Sequence, residues 1–382
     1  MDLEPIRKAV RSAISPLRPP GPGLSVPKNF LFDAKRTSAG RQLPAYYLVY
    51  FLLVDLLGFR NIGQFEKVAW SVPVDFQGRI FLIEHRKLGV GVFAQNIPDD
   101  EAAAAEIVRL IRIGVKVAEP YFDWRAEQAV KDSRLNVVNK ASSLFDRFEF
   151  LAKQYQSKRD EAERRVYEQI ETPRESWTEI HYPAFGLRRE ARWLALSAIE
   201  SFFSWTEHVF ILLAIIRGNI VTGDAVAKLA AHNWDVKFKA ALDINDPETK
   251  GYYDDLIIVR RQLRNFVAHG SFGKQGEAFR FHSDAGAVPV RLPHHVGESF
   301  RFGSGIDFVD DEAIMLLFAF VDHLWSGSRS PARIYIQEYG LPLILTMAQS
   351  GEYAHAMASD DDMTAFADHL SELMDRHANM DF

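Results

Sequence analysis

The chain has 382 residues, a formal net charge of -6, 47% hydrophobic and 25% charged residues, and no cysteine. That length predicts two cores rather than one, and the balance of apolar to charged residues is that of a folded globular protein with disorder confined to short segments. The charge offers no general attraction to nucleic acid, so RNA contact would need a local basic patch, and the lack of cysteine excludes disulfides, thiolate zinc sites and a cysteine nucleophile.

The first 15 residues carry Arg7, Lys8 and Arg11 among apolar positions but lack the apolar core of a signal peptide. A short helix or frayed arm is expected, on a cytoplasmic protein. Residues 16–23 contain Pro16, Pro19, Pro20 and Pro22 and cannot propagate a helix, because proline removes a donor and restricts its neighbour. The run 43–59 is the most apolar in the chain, yet it is shorter than the roughly 20 residues that span a bilayer and contains Asp55. A buried helix is predicted there, with no membrane contact. Residues 68–74, 79–84 and 89–93 form short β-like runs punctuated by Pro73, Gly78 and Gly89, which predicts a small antiparallel sheet. Asp99, Asp100 and Glu101 then introduce a helix over 102–117, where acidic residues suit the positive end of the helix dipole.

Asp75, Glu84 and Lys87 lie on or near adjacent strands, and two carboxylates with a lysine resemble the metal site of the PD-(D/E)xK nucleases. The spacing departs from that pattern, since Arg86 stands where lysine is expected and Lys87 falls one residue late. Charges at a strand edge are the preferred reading.

Residues 124–170 contain neither proline nor glycine and are rich in helix formers. Leu135, Val138, Ala141, Phe145, Phe148, Ala152 and Tyr155 trace one stripe, whereas 157–165 is almost wholly charged. A long helix or helical hairpin is predicted, with the character of a connector or dimerisation arm. Thr172-Pro173 ends it.

Beyond it, 188–216 is another long helical pattern whose apolar face is interrupted by Glu200 and Glu207, two turns apart on one side. Residues 220–242 predict one or two more helices, and Asn245-Asp246-Pro247 a turn. Three short strands or an ordered loop are predicted over 278–282, 288–292 and 299–302, then helices over 313–325, 331–347 and 361–377.

The stretch 254–270 organises this half. Leu256, Val259, Leu263, Phe266 and Val267 share one helical face, and Gly270 suits a helix C-terminus. The other face carries Arg261, Arg264 and Asn265, with His269 in the last turn. The string Arg264-Asn265-Phe266-Val267-Ala268-His269 resembles the Arg-x4-6-His signature of the HEPN superfamily. The resemblance covers the C-terminal half only. It implies an up-and-down helical bundle, a metal-independent endoribonuclease, and an acidic residue on an early helix facing the Arg-His helix, a place that Glu200 or Glu207 would fill opposite Arg264.

The chemistry suits those residue types. Attack by a ribose 2′-hydroxyl on the adjacent phosphate needs a proton acceptor, a cation for the charge on the phosphorane, and an acid for the leaving 5′-oxygen. His269 exchanges protons near neutrality, Arg264 offers a cationic fork matched to phosphate oxygens, and Asn265 is placed to orient either partner or substrate. In one ideal helix a five-residue step turns Arg264 and His269 apart by about 140° and separates them by about 7.5 Å. HEPN ribonucleases resolve this by dimerisation, so a homodimer with a composite cleft is expected.

No metal site is expected: His294-His295 is adjacent rather than helically spaced, and the remaining histidines are scattered. No cofactor motif is present. The expected fold class is α+β overall. It comprises an N-terminal arm and Pro-rich linker (1–29), a small α+β domain (30–123), a long helical connector (124–173) and a mainly α-helical HEPN-like bundle (174–382). The expected function is an RNA-cutting toxin or phage-defence effector whose catalytic residues are Arg264, Asn265 and His269, supported by Glu200, Glu207 and Arg261. The N-terminal domain would take a protein or ligand partner. The alternative is a non-catalytic helical module binding a protein or nucleotide.

Overall fold

The structure, a computed structural model, describes residues 1–21, 33–64, 66–171, 178–263, 279–291, 299–303 and 309–379; side chains are not described for 169–171, 178 and 179. The fold is mixed α+β with 63% helix. The chain divides into two compact units, Met1–Asp132 with Asp368–Phe382, and Ser133–Ala367.

The first unit is built on a four-stranded antiparallel sheet of β1 (Lys35–Arg36), β2 (Val68–Phe76), β3 (Arg79–Arg86) and β4 (Gly89–Ala94), in the order β1-β4-β3-β2. Gln77 and Gly78 both have positive φ, 55° and 79°, the backbone that a two-residue hairpin turn demands. Alternation along β2 points Trp70, Val72, Val74 and Phe76 to one face, where Phe81, Ile83, Val92 and Ala94 join them. That face packs on α1 (Glu4–Ile14), on α2 (Tyr46–Tyr50) continued by a π-helical turn (Phe51–Leu56), and on α3 (Glu101–Val117). Val10 and Ile14 are buried, so the N-terminal residues are core rather than a frayed arm. Gly114 lets α3 approach α1, since a Cβ there would stand 2.6 Å from Ile14 Cγ2. The Pro-rich segment hugs the sheet through a backbone bridge between Arg18 and Asp75. Helix α4 (Glu119–Lys131) completes the stretch up to Asp132.

The predicted helical stretch over 124–170 is two helices, because Ser133 takes φ 54° and its hydroxyl accepts the Gly223 amide at 3.0 Å. The short strand β5 (Asn136–Val137) follows, then α5 (Ala141–Arg164). The second unit's spine is α6 (Pro183–Ile216), reached through the hairpin of β6 (Glu168–Glu171) and β7 (Thr178–His181). Helix α5 runs antiparallel to α6, with Phe145 on Trp205, Phe148 on Phe202 and Lys158 paired with Glu190 at 2.9 Å. It therefore packs along its length instead of projecting as an arm.

Helices α7 (Gly223–Ala231), α8 (Trp234–Ala241), α9 (Pro247–Gln262), the exposed strands β8 (Phe279–Ser283), β9 (Gly286–Arg291) and β10 (Arg301–Phe302), and α10 (Asp310–Leu324) follow. Phe320 of α10 meets Phe202, Phe210 and Phe238, which places an aromatic core between α6, α8 and α10. The helix expected over 331–347 is interrupted. Helix α11 (Ser330–Arg333) passes into a π-helical turn (Ile334–Tyr339), Gly340 turns the chain at φ 65°, and β11 (Leu343–Ile344) pairs with β5. Helices α12 (Leu345–Ser350), α13 (Glu352–Ala356) and α14 (Asp360–Asn379) end the described chain. Among the described residues α6 is the one helix long and apolar enough to cross a membrane, and 72% of that apolar window is packed inside the protein.

Candidate functional site

The site is assembled from α6, α8 and α9. Helix α6 runs 34 residues because it meets no helix-breaking residue after Gly186 until Gly218, whose φ of 75° closes it. Helix α9 starts where the turn was predicted. Asp246 is its N-cap, accepting from the Thr249 amide at 2.9 Å and from the Thr249 hydroxyl at 2.7 Å, and Pro247 occupies its first turn.

Glu207 on α6 is the centre. Its Oε2 accepts from Lys237 Nζ of α8 at 3.1 Å and its Oε1 from Arg260 Nη2 of α9 at 3.0 Å. The Arg260 guanidinium also lies over the rings of Phe203 and Trp234, at 5.9 and 6.0 Å from their centroids. Trp234 is fixed in turn by its indole N–H, which donates to Thr206 Oγ1 at 2.9 Å. Arg260 thus has an anion on one side and aromatic faces on the others, the environment in which a guanidinium tolerates partial burial. One carboxylate between two cations leaves a unit of positive charge in a half-buried setting. Arg261, the next residue, is exposed.

An acid expected opposite Arg264 is therefore engaged by Arg260, four residues earlier in the sequence. Arg264, Asn265 and His269 lie outside the described residues, as does His294-His295. Glu200 is exposed and makes no ion pair among the described residues. The structure brings Glu207 to α9 and does not bring Glu200 there.

The nuclease-like set in the first unit does not converge. Asp75 is fully buried, accepting from Arg18 Nε and from the Gly78 amide, each at 2.8 Å. Glu84 is fully buried too, accepting from Ser71 Oγ at 2.7 Å and Arg86 Nε at 2.6 Å. Ser71 pairs with Glu84 and Asp75 with Ile80, so the two acids sit four rungs apart, about 13 Å. Lys87 donates to Asn379 Oδ1 at 3.3 Å. These acids are internal structural partners, neither a metal site nor charges at a strand edge.

No family model, curated protein or solved structure matches this chain.

A second polar cluster escaped the sequence reading. His323, buried near the end of α10, places Nε2 2.8 Å from the Thr249 hydroxyl, with Glu248 Oε1 3.5 Å from Nδ1 and Tyr252 packed on the ring. Burial, then the charge of Arg329, pushes the His323 pKa below its ordinary value. The cluster ties the first turn of α9 to the last turn of α10, so it sets where α9 points. Only the Asn245-Asp246-Pro247 turn was visible in the sequence, because His323 lies 74 residues from Thr249. Among the described residues no group of three His, Asp or Glu could hold a metal ion.

Proposed function

We propose that this chain is a metal-independent endoribonuclease of HEPN type, cutting RNA at a site shared by two copies and serving in the cytoplasm as a toxin or phage-defence effector. The string Arg264 to His269, continuing the sequence of α9 in a mainly helical unit, carries the reading. Support comes from the Glu207–Arg260 ion pair, which fastens α9 to a long earlier helix through an acid, the relationship that the HEPN resemblance implies.

In this mechanism His269 of one copy takes the proton of a ribose 2′-hydroxyl, whose oxygen attacks the adjacent phosphorus. Arg264 stabilises the extra charge on the phosphorane, and Asn265 orients the reacting groups. The bond from phosphorus to the 5′-oxygen breaks, and His269 of the second copy gives that oxygen its proton. The products are a 2′,3′-cyclic phosphate and a 5′-hydroxyl. The first unit takes the protein or ligand partner that governs activity.

The test is incubation of purified protein with mixed RNA in EDTA. Cleavage that resists the chelator, leaves cyclic phosphate ends and disappears in His269→Ala is the expected result, with growth of an expressing host rescued by Arg264→Ala. Uncut RNA, with equal toxicity of wild type and variant, would leave a non-catalytic helical module that binds a protein or nucleotide.

A further inference from the structure

The first half of α6 leaves one flank uncovered. Tyr182 caps the helix, and Phe185, Arg189, Trp193, Leu196 and Glu200 follow at three- and four-residue steps, so at 100° per residue all six fall within about 40° of one line. Tyr182, Phe185 and Trp193 are 52%, 72% and 58% exposed, a dense run of aromatic surface for a helix otherwise devoted to the core. The two charges on the line have no ionic partner among the described residues. Arg189 lies over the Trp193 ring at 5.5 Å, and Glu200 makes no ion pair. Their neighbours on either side of the line are engaged, Glu190 with Lys158 and Arg192 with Asp310.

This arrangement is complementary to itself. Two such helices set antiparallel about a two-fold axis at the level of Leu194 and Ala195 place Arg189 of each against Glu200 of the other. The same register brings Trp193 against Leu196 and Phe185 against the small Ser204. An apolar centre flanked by two equivalent salt bridges is what an isologous contact requires. A stacked arginine can accept a carboxylate in its plane while keeping its ring contact. Beyond Glu200, the same helix carries Glu207 with its hold on α9.

We infer that the exposed flank of α6 from Phe185 to Glu200 is the surface on which a second copy of this chain docks, antiparallel, through reciprocal Arg189–Glu200 pairs around Trp193. The purpose of the pairing rests on the two-copy site proposed above, while its geometry does not depend on RNA cleavage. One helix pair is smaller than a standard interface of about 800 Å² per partner, so the dimer forms in the micromolar range.

Sedimentation of the full chain between about 1 and about 200 µM, at low salt, tests it, a range suited to weak association. The expected result is a dimer for wild type, at least tenfold weaker association for Arg189→Glu and for Glu200→Arg, and recovery in the double variant, where the reciprocal pairs are re-formed with reversed sign. Trp193→Ala gives a second, charge-independent loss. All three side chains concerned are exposed, so unchanged far-ultraviolet dichroism will confirm folding. A monomeric wild type, or single reversals as dimeric as wild type, would overturn this surface. Wild-type dimers that respond as expected yet leave RNA uncut would overturn the ribonuclease reading alone.

Discussion

The two units treat their charged residues in opposite ways. In the first, Asp75 and Glu84 are fully buried and each is closed off by partners of its own unit, Arg18 and the Gly78 amide for one, Ser71 and Arg86 for the other. In the second, Glu207 is half-exposed between Lys237 and Arg260, and Arg189 and Glu200 face solvent. An acid whose acceptor sites are filled inside the protein stabilises a fold. Charges left at a rim, next to exposed aromatic surface, remain available to something outside.

Three perturbations separate these regimes. The largest effect is expected from Trp234→Ala, which opens a cavity among Phe203, Phe210 and Phe238 and removes the face beneath Arg260. A loss of about 4 kcal/mol is expected in the second unit, read as a lowered urea midpoint; Trp234→Phe should recover most of it. Glu84→Ala should cost the first unit about 3 kcal/mol, because the Arg86 and Ser71 groups that it satisfies lose their partner in the sheet. A change below about 0.5 kcal/mol would show that these acids are not structural.

Acidification is the smallest and acts on both units. Burial lowers the pKa of His85 in the first, and burial with Lys140 that of His208, whose Nε2 accepts the Lys140 amide at 2.9 Å; His323 is lowered as well. Each is held neutral in the fold while the unfolded chain takes up a proton near pH 6.5. Their contribution is fully present above about pH 6.5 and is lost as pH falls toward the lowered folded values. Thermal midpoints at pH 7.5 and 5.5 should show the decline, with His323→Gln flattening it in the second unit.

Much of this fold was legible in the sequence for local reasons. Alternation with Gly78 marked the β2–β3 hairpin, and Asp246-Pro247 marked the start of α9, because each rests on residues within a turn of one another. What escaped depends on distant partners. Ser133 breaks a stretch without glycine or proline because the Gly223 amide meets its hydroxyl. The π-helical turn ending at Tyr339 is fixed by packing against α5, including a Gln337 carbonyl that accepts from Ser142 Oγ at 2.6 Å. For the candidate site, the sequence put Glu200 or Glu207 opposite Arg264, whereas among the described residues Glu207 reaches Arg260, a choice set by the axial offset of two packed helices and not by spacing along either one.

Helix α14 begins in the second unit and ends in the first, where Asn379 receives the Lys87 ammonium. The second unit is thereby an insertion, entered after Asp132 and left before Asp368. The chain passes between the units twice, so each is tied to the other at two points of its sequence. During synthesis the residues of the second unit, up to Ala367, are therefore all made before Asp368 and those that follow it rejoin the sheet-bearing unit.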